Sequence, residues 1–137
     1  MNGRPRREEE DSELSFFVSG EPVPKARARI GLLRGGKVRS FTPKRTAQWE
    51  EQVRWNCRVA ATSAGWKPLT ERAEVVLIVH RKCRRGDADN YAKSVLDGMN
   101  GIAFTDDSVI RSLWVRVKDV SQDPGVWIAI RSWNGAA

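Results

Sequence analysis

The chain has 137 residues, enough to bury a hydrophobic core as one domain. Its 24 Lys and Arg against 17 Asp and Glu give a net charge of +7 and a pI near 10.0. That balance favours a polyanion or an anionic membrane as partner and says nothing about fold. No apolar run approaches the roughly 20 residues of a spanning helix, which argues against a membrane. The first residues, MNGRPRREEEDSE, lack the apolar segment of a secretory signal. Cys57 and Cys83 alone do not make a disulfide framework, so the expected setting is a reducing cytoplasm. His80, three residues before Cys83, would give zinc two ligands where a structural site usually needs about four; a histidine completing a strand is the expectation.

Residues 1–13 are charged and nearly free of apolar groups and read as a disordered tail. One domain is expected over 14–133, with a short C-terminal tail at 134–137. Leu14 to Ser19 (LSFFVS) reads as a strand closed by Gly20. From Pro22 to Arg45 there are eight Lys or Arg residues and no acid. Lys25, Arg27 and Arg29 alternate with alanines, so an extended backbone would put all three cations on one side. Most such runs are solvated loops, but the missing counter-charge points to phosphate contacts, which position DNA without reading its sequence. Gly35-Gly36 looks like a hairpin turn between Ile30–Leu33 and Val38–Phe41.

Thr42-Pro43 predicts a helix start, with Thr as cap and Pro in the first position, and the helix should run to about Ser63. Trp49, Val53, Cys57, Ala60 and Ala64 recur at helical spacing, and the tryptophans here are expected to pack. Val75 to Val79 is apolar without alternation, which predicts a central strand covered on both sides. It leads into a basic cluster, Arg81-Lys82 and Arg84-Arg85. A second helix is expected over Asp89–Met99, buried through Ala92, Val95, Leu96 and Met99 and ended by Asn100-Gly101. Strands at about Val109–Lys118 and at Val126–Ile130, split by the turn Asp123-Pro124-Gly125, complete an α+β domain with two main helices.

Between Gly86 and Asp107 lie five aspartates, one lysine and no glutamate, on an otherwise basic chain. Asp87 and Asp89 stand two apart where strand gives way to helix. If the segment is extended, both carboxylates point the same way. Carboxylates crowded in this way repel one another unless a hard cation sits among them, and Mg²⁺ suits such a site. Asp107 could complete the set if its strand lies beside Val75–Val79. Lys93, four residues after Asp89 and four before Asp97, could stabilise charge on a scissile phosphate. Each residue also has an ordinary use: Asp87 or Asp89 as a helix cap, Lys93 in a surface ion-pair ladder, Asp106-Asp107 as a turn.

The pattern Asp87-Ala88-Asp89-Asn90-Tyr91-Ala92-Lys93, then Leu96-Asp97-Gly98-Met99-Asn100-Gly101, then Asp106-Asp107-Ser108 resembles the signature of the RusA family of Holliday junction resolvases. Gly20-Glu21-Pro22-Val23-Pro24-Lys25-Ala26-Arg27-Ala28-Arg29 resembles that family's N-terminal G-x-P-x-x-K-x-R-x-R segment, so the likeness spans roughly residues 14–132. It implies a homodimeric, RusA-like mixed-sheet α+β endonuclease, bacterial or phage-encoded. Using Mg²⁺ or Mn²⁺ and no small-molecule cofactor, it would resolve four-way DNA junctions by paired symmetrical nicks in recombination and repair. Asp87, Asp89 and Asp107 match its metal-binding aspartates and, with Lys93, its catalytic set; the role of Asp106 is left open, since one carboxylate of such a pair can serve only to support the other. The expected DNA-gripping residues are Lys25, Arg27, Arg29, Arg81, Lys82, Arg84 and Arg85. The loop Lys82–Gly86 lacks the aromatic residues some relatives carry there. A non-cleaving branched-DNA-binding module and a nuclease for flaps or other branched DNA are the rival readings.

Overall fold

In a computed structural model of the chain, the residues described are 12–26, 29–32, 38–41 and 43–135, those of 29–32 and 38–41 as backbone only. Residues 1–11 of the expected 1–13 tail, Arg27, the Gly35-Gly36 turn, Thr42 and residues 136–137 lie outside them, while Glu13, placed in that tail by the sequence, opens the first strand. The elements are β1 (Glu13–Ser19), β2 (Arg29–Leu32), β3 (Val38–Phe41), α1 (Lys44–Ala64), β4 (Ala73–Arg81), α2 (Ala88–Met99), a 3₁₀ turn (Asp107–Val109), β5 (Ile110–Asp119) and β6 (Gly125–Ser132). They form the expected α+β domain, a mixed four-stranded sheet with two main helices, beside which β2 and β3 pair as a separate antiparallel ribbon.

The apolar run 75–79 forms β4, an inner strand in the order β1-β6-β4-β5. It pairs antiparallel with β6 and parallel with β5. Val75, Leu77 and Val79 share one face with Val126, Ile128 and Ile130 of β6 and Leu14 and Val18 of β1. Against that face pack Trp49, Val53, Cys57 and Ala61 of α1 and Tyr91, Val95 and Met99 of α2, giving one continuous core. Ala61 takes the buried place the sequence pattern gave to Ala60 and Ala64, because it lies one helical turn beyond Cys57. Burial raises the Cys57 thiol pKa to about 12, so the group is inert packing.

The expectation that β4 is covered on both sides does not hold. Both helices lie on one face, and among the described residues no helix or strand layer covers the other. Val76 and Ile78 are half-buried there because their strand neighbours flank them. Trp114 and Trp127 stand on this face 66% and 51% exposed, and Phe17 tilts against Trp127 with ring centroids 4.9 Å apart. Trp55 of α1 is also exposed, so only Trp49 of that helix fulfils the packing role expected of its tryptophans.

Helix α1 begins one residue later than the sequence suggests: Pro43 is the residue before the first turn, and its carbonyl accepts from Ala47. It ends as expected at Gly65, whose left-handed backbone (φ 65°) lets the N–H groups of Gly65 and Trp66 reach the Thr62 and Ala61 carbonyls. Where α1 crosses α2, Gly98 has no side chain to separate them. A Cβ there would lie 2.8 Å from the Glu50 carbonyl oxygen and 2.8 Å from Val53 Cβ. Gly98→Ala should therefore cost about 1–3 kcal/mol by overpacking and lower Tm by several degrees in thermal unfolding, despite alanine's better helix propensity.

Candidate functional site

The sheet topology decides which aspartates meet. The chain leaves β4 at Arg81, runs back along the sheet through α2, and re-enters in parallel at β5, with Ile110 opposite Ala73. Asp87 and Asp89 therefore sit at the start of α2, near the carboxyl end of β4, while Asp107 precedes the opposite end of the same strand pair. The strand adjacency that the sequence reading required is present. The parallel direction, however, sets Asp107 beside the middle of α2 rather than beside its start. Among the described residues, no three His, Cys, Asp or Glu side chains converge closely enough to hold a metal ion.

Asp87 occupies the cap position of α2 with extended backbone (φ −101°, ψ 167°), yet its side chain makes no capping hydrogen bond. Its carboxylate is thus not used in the ordinary way that the sequence left open. Asp89 lies in the first turn, and both residues are exposed. As donors they suit a hard divalent cation: exposed carboxylate oxygens, few in number, leaving further positions to water or phosphate oxygens.

Lys93 does not pair with Asp89. Its Nζ lies 3.0 Å from Asp97 Oδ1 and 3.3 Å from Asp107 Oδ2. Asp97 raises the Lys93 pKa most and Asp107 adds to it, outweighing a partial burial that opposes them, so the amine is firmly protonated. The other oxygen of Asp97, Oδ2, lies 3.0 Å from Lys25 Nζ, which also reaches Glu50 Oε2 of α1 at 2.7 Å. Partial burial acts to lower the Lys25 pKa, but Glu50 and Asp97 raise it by more. The result is an unbroken chain of opposite charges, Glu50, Lys25, Asp97, Lys93 and Asp107. Lys25, expected to grip phosphate, spends its charge inside this chain.

The paired acids differ in their contacts, and Asp106 is turned toward the backbone. Its carboxylate accepts from the Ser108 backbone N–H at 3.2 Å and caps the 3₁₀ turn, and Ser108 holds it below the usual carboxylate range. Asp107 is left facing Lys93.

Directly before Asp87 runs the loop Lys82–Gly86, exposed throughout. One bond within it, from the Arg85 N–H to the Cys83 carbonyl at 3.1 Å, is joined by several from outside. Glu21, in the N-terminal motif, accepts the backbone N–H groups of Lys82 (3.1 and 3.2 Å) and Cys83 (3.1 Å). Arg81 bonds the carbonyls of Gly86 (3.0 Å) and Arg85 (3.5 Å), pairs with Asp119 at 2.8 Å, and lies 5.6 Å over the Tyr91 ring. Arg81 thus shapes the loop. Lys82, Arg84 and Arg85 carry its outward charge, with Arg84 loosely paired to Asp119 at 3.4 Å. The side chains of Arg27 and Arg29 lie outside the described residues.

Sequence reasoning missed Glu21, Glu50 and Asp97 as members of the site. The first two are acids at distant positions whose partners only the fold reveals. Asp97 was visible in the Leu96-Asp97-Gly98 segment, one turn from Lys93. A separate groove, lined by Trp66, Pro68, Leu69 and Ser132 among others, contains none of the predicted site residues.

Comparison with known proteins adds the family. The uncharacterized protein YqaN of Bacillus subtilis (strain 168) is 30% identical over 139 residues, covering 86% of this chain and 95% of that protein. The family model described as Endodeoxyribonuclease RusA matches residues 19–131, a span containing the Lys25–Asp97–Lys93–Asp107 chain and both aspartates at the start of α2. The chain belongs to the RusA endodeoxyribonuclease family.

Proposed function

We propose that this protein is a divalent-metal-dependent endonuclease that resolves four-way DNA junctions by paired, symmetrical nicks. The observation that carries the reading is the run from an exposed cationic loop, Lys82–Arg85, straight into two exposed aspartates, one of them at a cap position it does not use for capping. Family membership supplies the class of activity, endodeoxyribonuclease. A cationic surface beside acidic donors is what phosphodiester cleavage requires, since the backbone must be gripped and its reacting phosphate drawn to a metal.

Asp87 and Asp89 are the residues that would hold Mg²⁺ or Mn²⁺, while Asp107, the third expected donor, faces Lys93 instead. When bound, such an ion supplies Lewis-acid polarisation of the phosphate and easier deprotonation of an attacking water. The rest falls to the chain's own groups. Lys82, Arg84 and Arg85 contact backbone phosphates and set the register of the strand. Lys93, protonated across the physiological range, offers its ammonium to charge that builds on the phosphate oxygens or the leaving oxygen. Asp106 keeps the 3₁₀ turn in place so that Asp107 keeps its position.

A homodimer belongs to this reading, because symmetrical cutting needs two sites facing two strands. The uncovered sheet face with Trp114 and Trp127 is apolar surface of the kind a partner subunit covers. Trp114→Glu should then shift the protein toward monomer in sedimentation equilibrium. An unchanged mass would place the dimer surface elsewhere.

Asp87→Asn is expected to abolish nicking of a synthetic four-way junction while leaving binding equal or tighter, because a metal donor and a negative charge near DNA are both lost. Nicking retained at the wild-type rate would remove Asp87 from the catalytic set. Running four-way junctions against flaps and plain duplex should show fastest cutting of the four-way form; faster cutting of flaps would reassign the substrate. Replacing Lys82, Arg84 and Arg85 together by Gln should weaken junction binding for every sequence alike. It should also flatten the salt dependence, by about one unit of log–log slope per lost phosphate contact. A slope equal to wild type would deny the loop its role.

A further inference from the structure

We infer that Asp97 is the positioning residue for Lys93, and that Lys25 and Glu50 fix Asp97 for that purpose. The inference deepens the junction-cleaving reading and rests on it.

Lys93 stands 52% exposed on α2, and a lysine there would ordinarily sweep a wide cone on its four-carbon stem. Two carboxylates restrain it. Asp107, at 3.3 Å, is 35% exposed and touches Lys93 through one oxygen. Asp97, at 3.0 Å, is the closer and better-held anchor. It is only 18% exposed, and its remaining oxygen is held by Lys25 at 3.0 Å. With one ammonium on each oxygen, the carboxylate cannot rotate without breaking one of them.

Lys25 in turn is aimed by the backbone. Its N–H donates to the Asn90 carbonyl of α2 at 2.8 Å, and the nearby Val23 carbonyl accepts the buried Ser94 hydroxyl at 2.7 Å. These two bonds fasten the segment 23–25 along the helix that bears Asp97. From the other side, Glu50 reaches Lys25 at 2.7 Å, across the close α1–α2 crossing at Gly98. Glu50, Asp97 and Asp107 against Lys25 and Lys93 leave one net negative charge, so neither ammonium lacks a counter-charge. Such part-exposed pairs add little to stability. Their common product is a fixed place for one amine.

The test reads Lys93 apart from activity. Competitive acylation of the folded protein over a pH series, followed by peptide mass spectrometry, gives the pKa of each lysine. In Asp97→Asn the Lys93 pKa should fall by about one unit, the scale of one lost ion-pair partner. Asp97→Glu should restore most of it, and Lys82 in the exposed loop should not move. Under single-turnover conditions on a four-way junction, Asp97→Asn should slow cleavage at least tenfold while the junction Kd stays within twofold. Adding Asp97→Asn to Lys93→Gln should change the residual rate less than twofold. Lys25→Met, which frees Asp97 without removing it, should slow cleavage in the same direction by less and provides a second route if Asp97→Asn unfolds. An unchanged Lys93 pKa together with a wild-type cleavage rate in Asp97→Asn would overturn the inference. Wild-type cutting by Lys93→Gln would instead overturn the role of Lys93 in the proposed function, a separable outcome.

Discussion

The carboxylate of Asp97 binds one ammonium on each oxygen, and through them ties together four parts of the chain. Lys25 brings in the N-terminal motif and, through Glu50, helix α1; Lys93 brings in the middle of α2 and, through Asp107, the entrance to β5. None of these pairs is deeply buried, and each contributes about 0–1 kcal/mol by the usual standard of exposed ion pairs. What the network supplies is position. It is possible only because α1 and α2 meet at Gly98, where a methyl group would already force the helices apart.

The direction of the β4–β5 pairing has the next largest effect on the site. An antiparallel β5 would have brought Asp107 to the carboxyl end of β4, alongside Asp87 and Asp89. The parallel crossover through α2 carries it to the other end. The acidic residues are consequently split into an exposed pair at the helix start and a lysine-bound group further along the same helix. The first is available to a cation from solution; the second already has its counter-charge. Between β4 and that helix start lies the basic loop, which Glu21 and Arg81 help to shape.

Much of this is legible in the sequence. Glycine and proline marked the end of α1, the hydrophobic spacing gave Trp49, Val53 and Cys57 as its buried stripe, and the Asp-x-Asp-Asn-x-x-Lys pattern singled out the start of α2. Long-range relations were harder to read. Val76 and Ile78 are apolar because they sit between Trp127 of β6 and the Trp114 region of β5, on a face left open; a run of hydrophobic residues cannot say whether a second layer or lateral neighbours account for it. Lys25 and Arg81 look like DNA-facing cations in a basic segment, and only the fold reveals that Asp97 and Asp119 await them. Asp106 and Asp107 are chemically identical neighbours, and their division of labour depends on which one the 3₁₀ turn bends toward the Ser108 amide.

The central claim is that exposed acids beside a cationic loop make this family member a metal-dependent cutter of branched DNA. The most direct measurement incubates the purified chain with an end-labelled four-way junction in Mg²⁺ and in EDTA and maps every cut at nucleotide resolution. The account predicts nicks in Mg²⁺ at symmetrical positions on two opposed strands, ligatable afterwards, and none in EDTA. Tight binding with no cleavage in any divalent metal, or cleavage undiminished by EDTA, would contradict it.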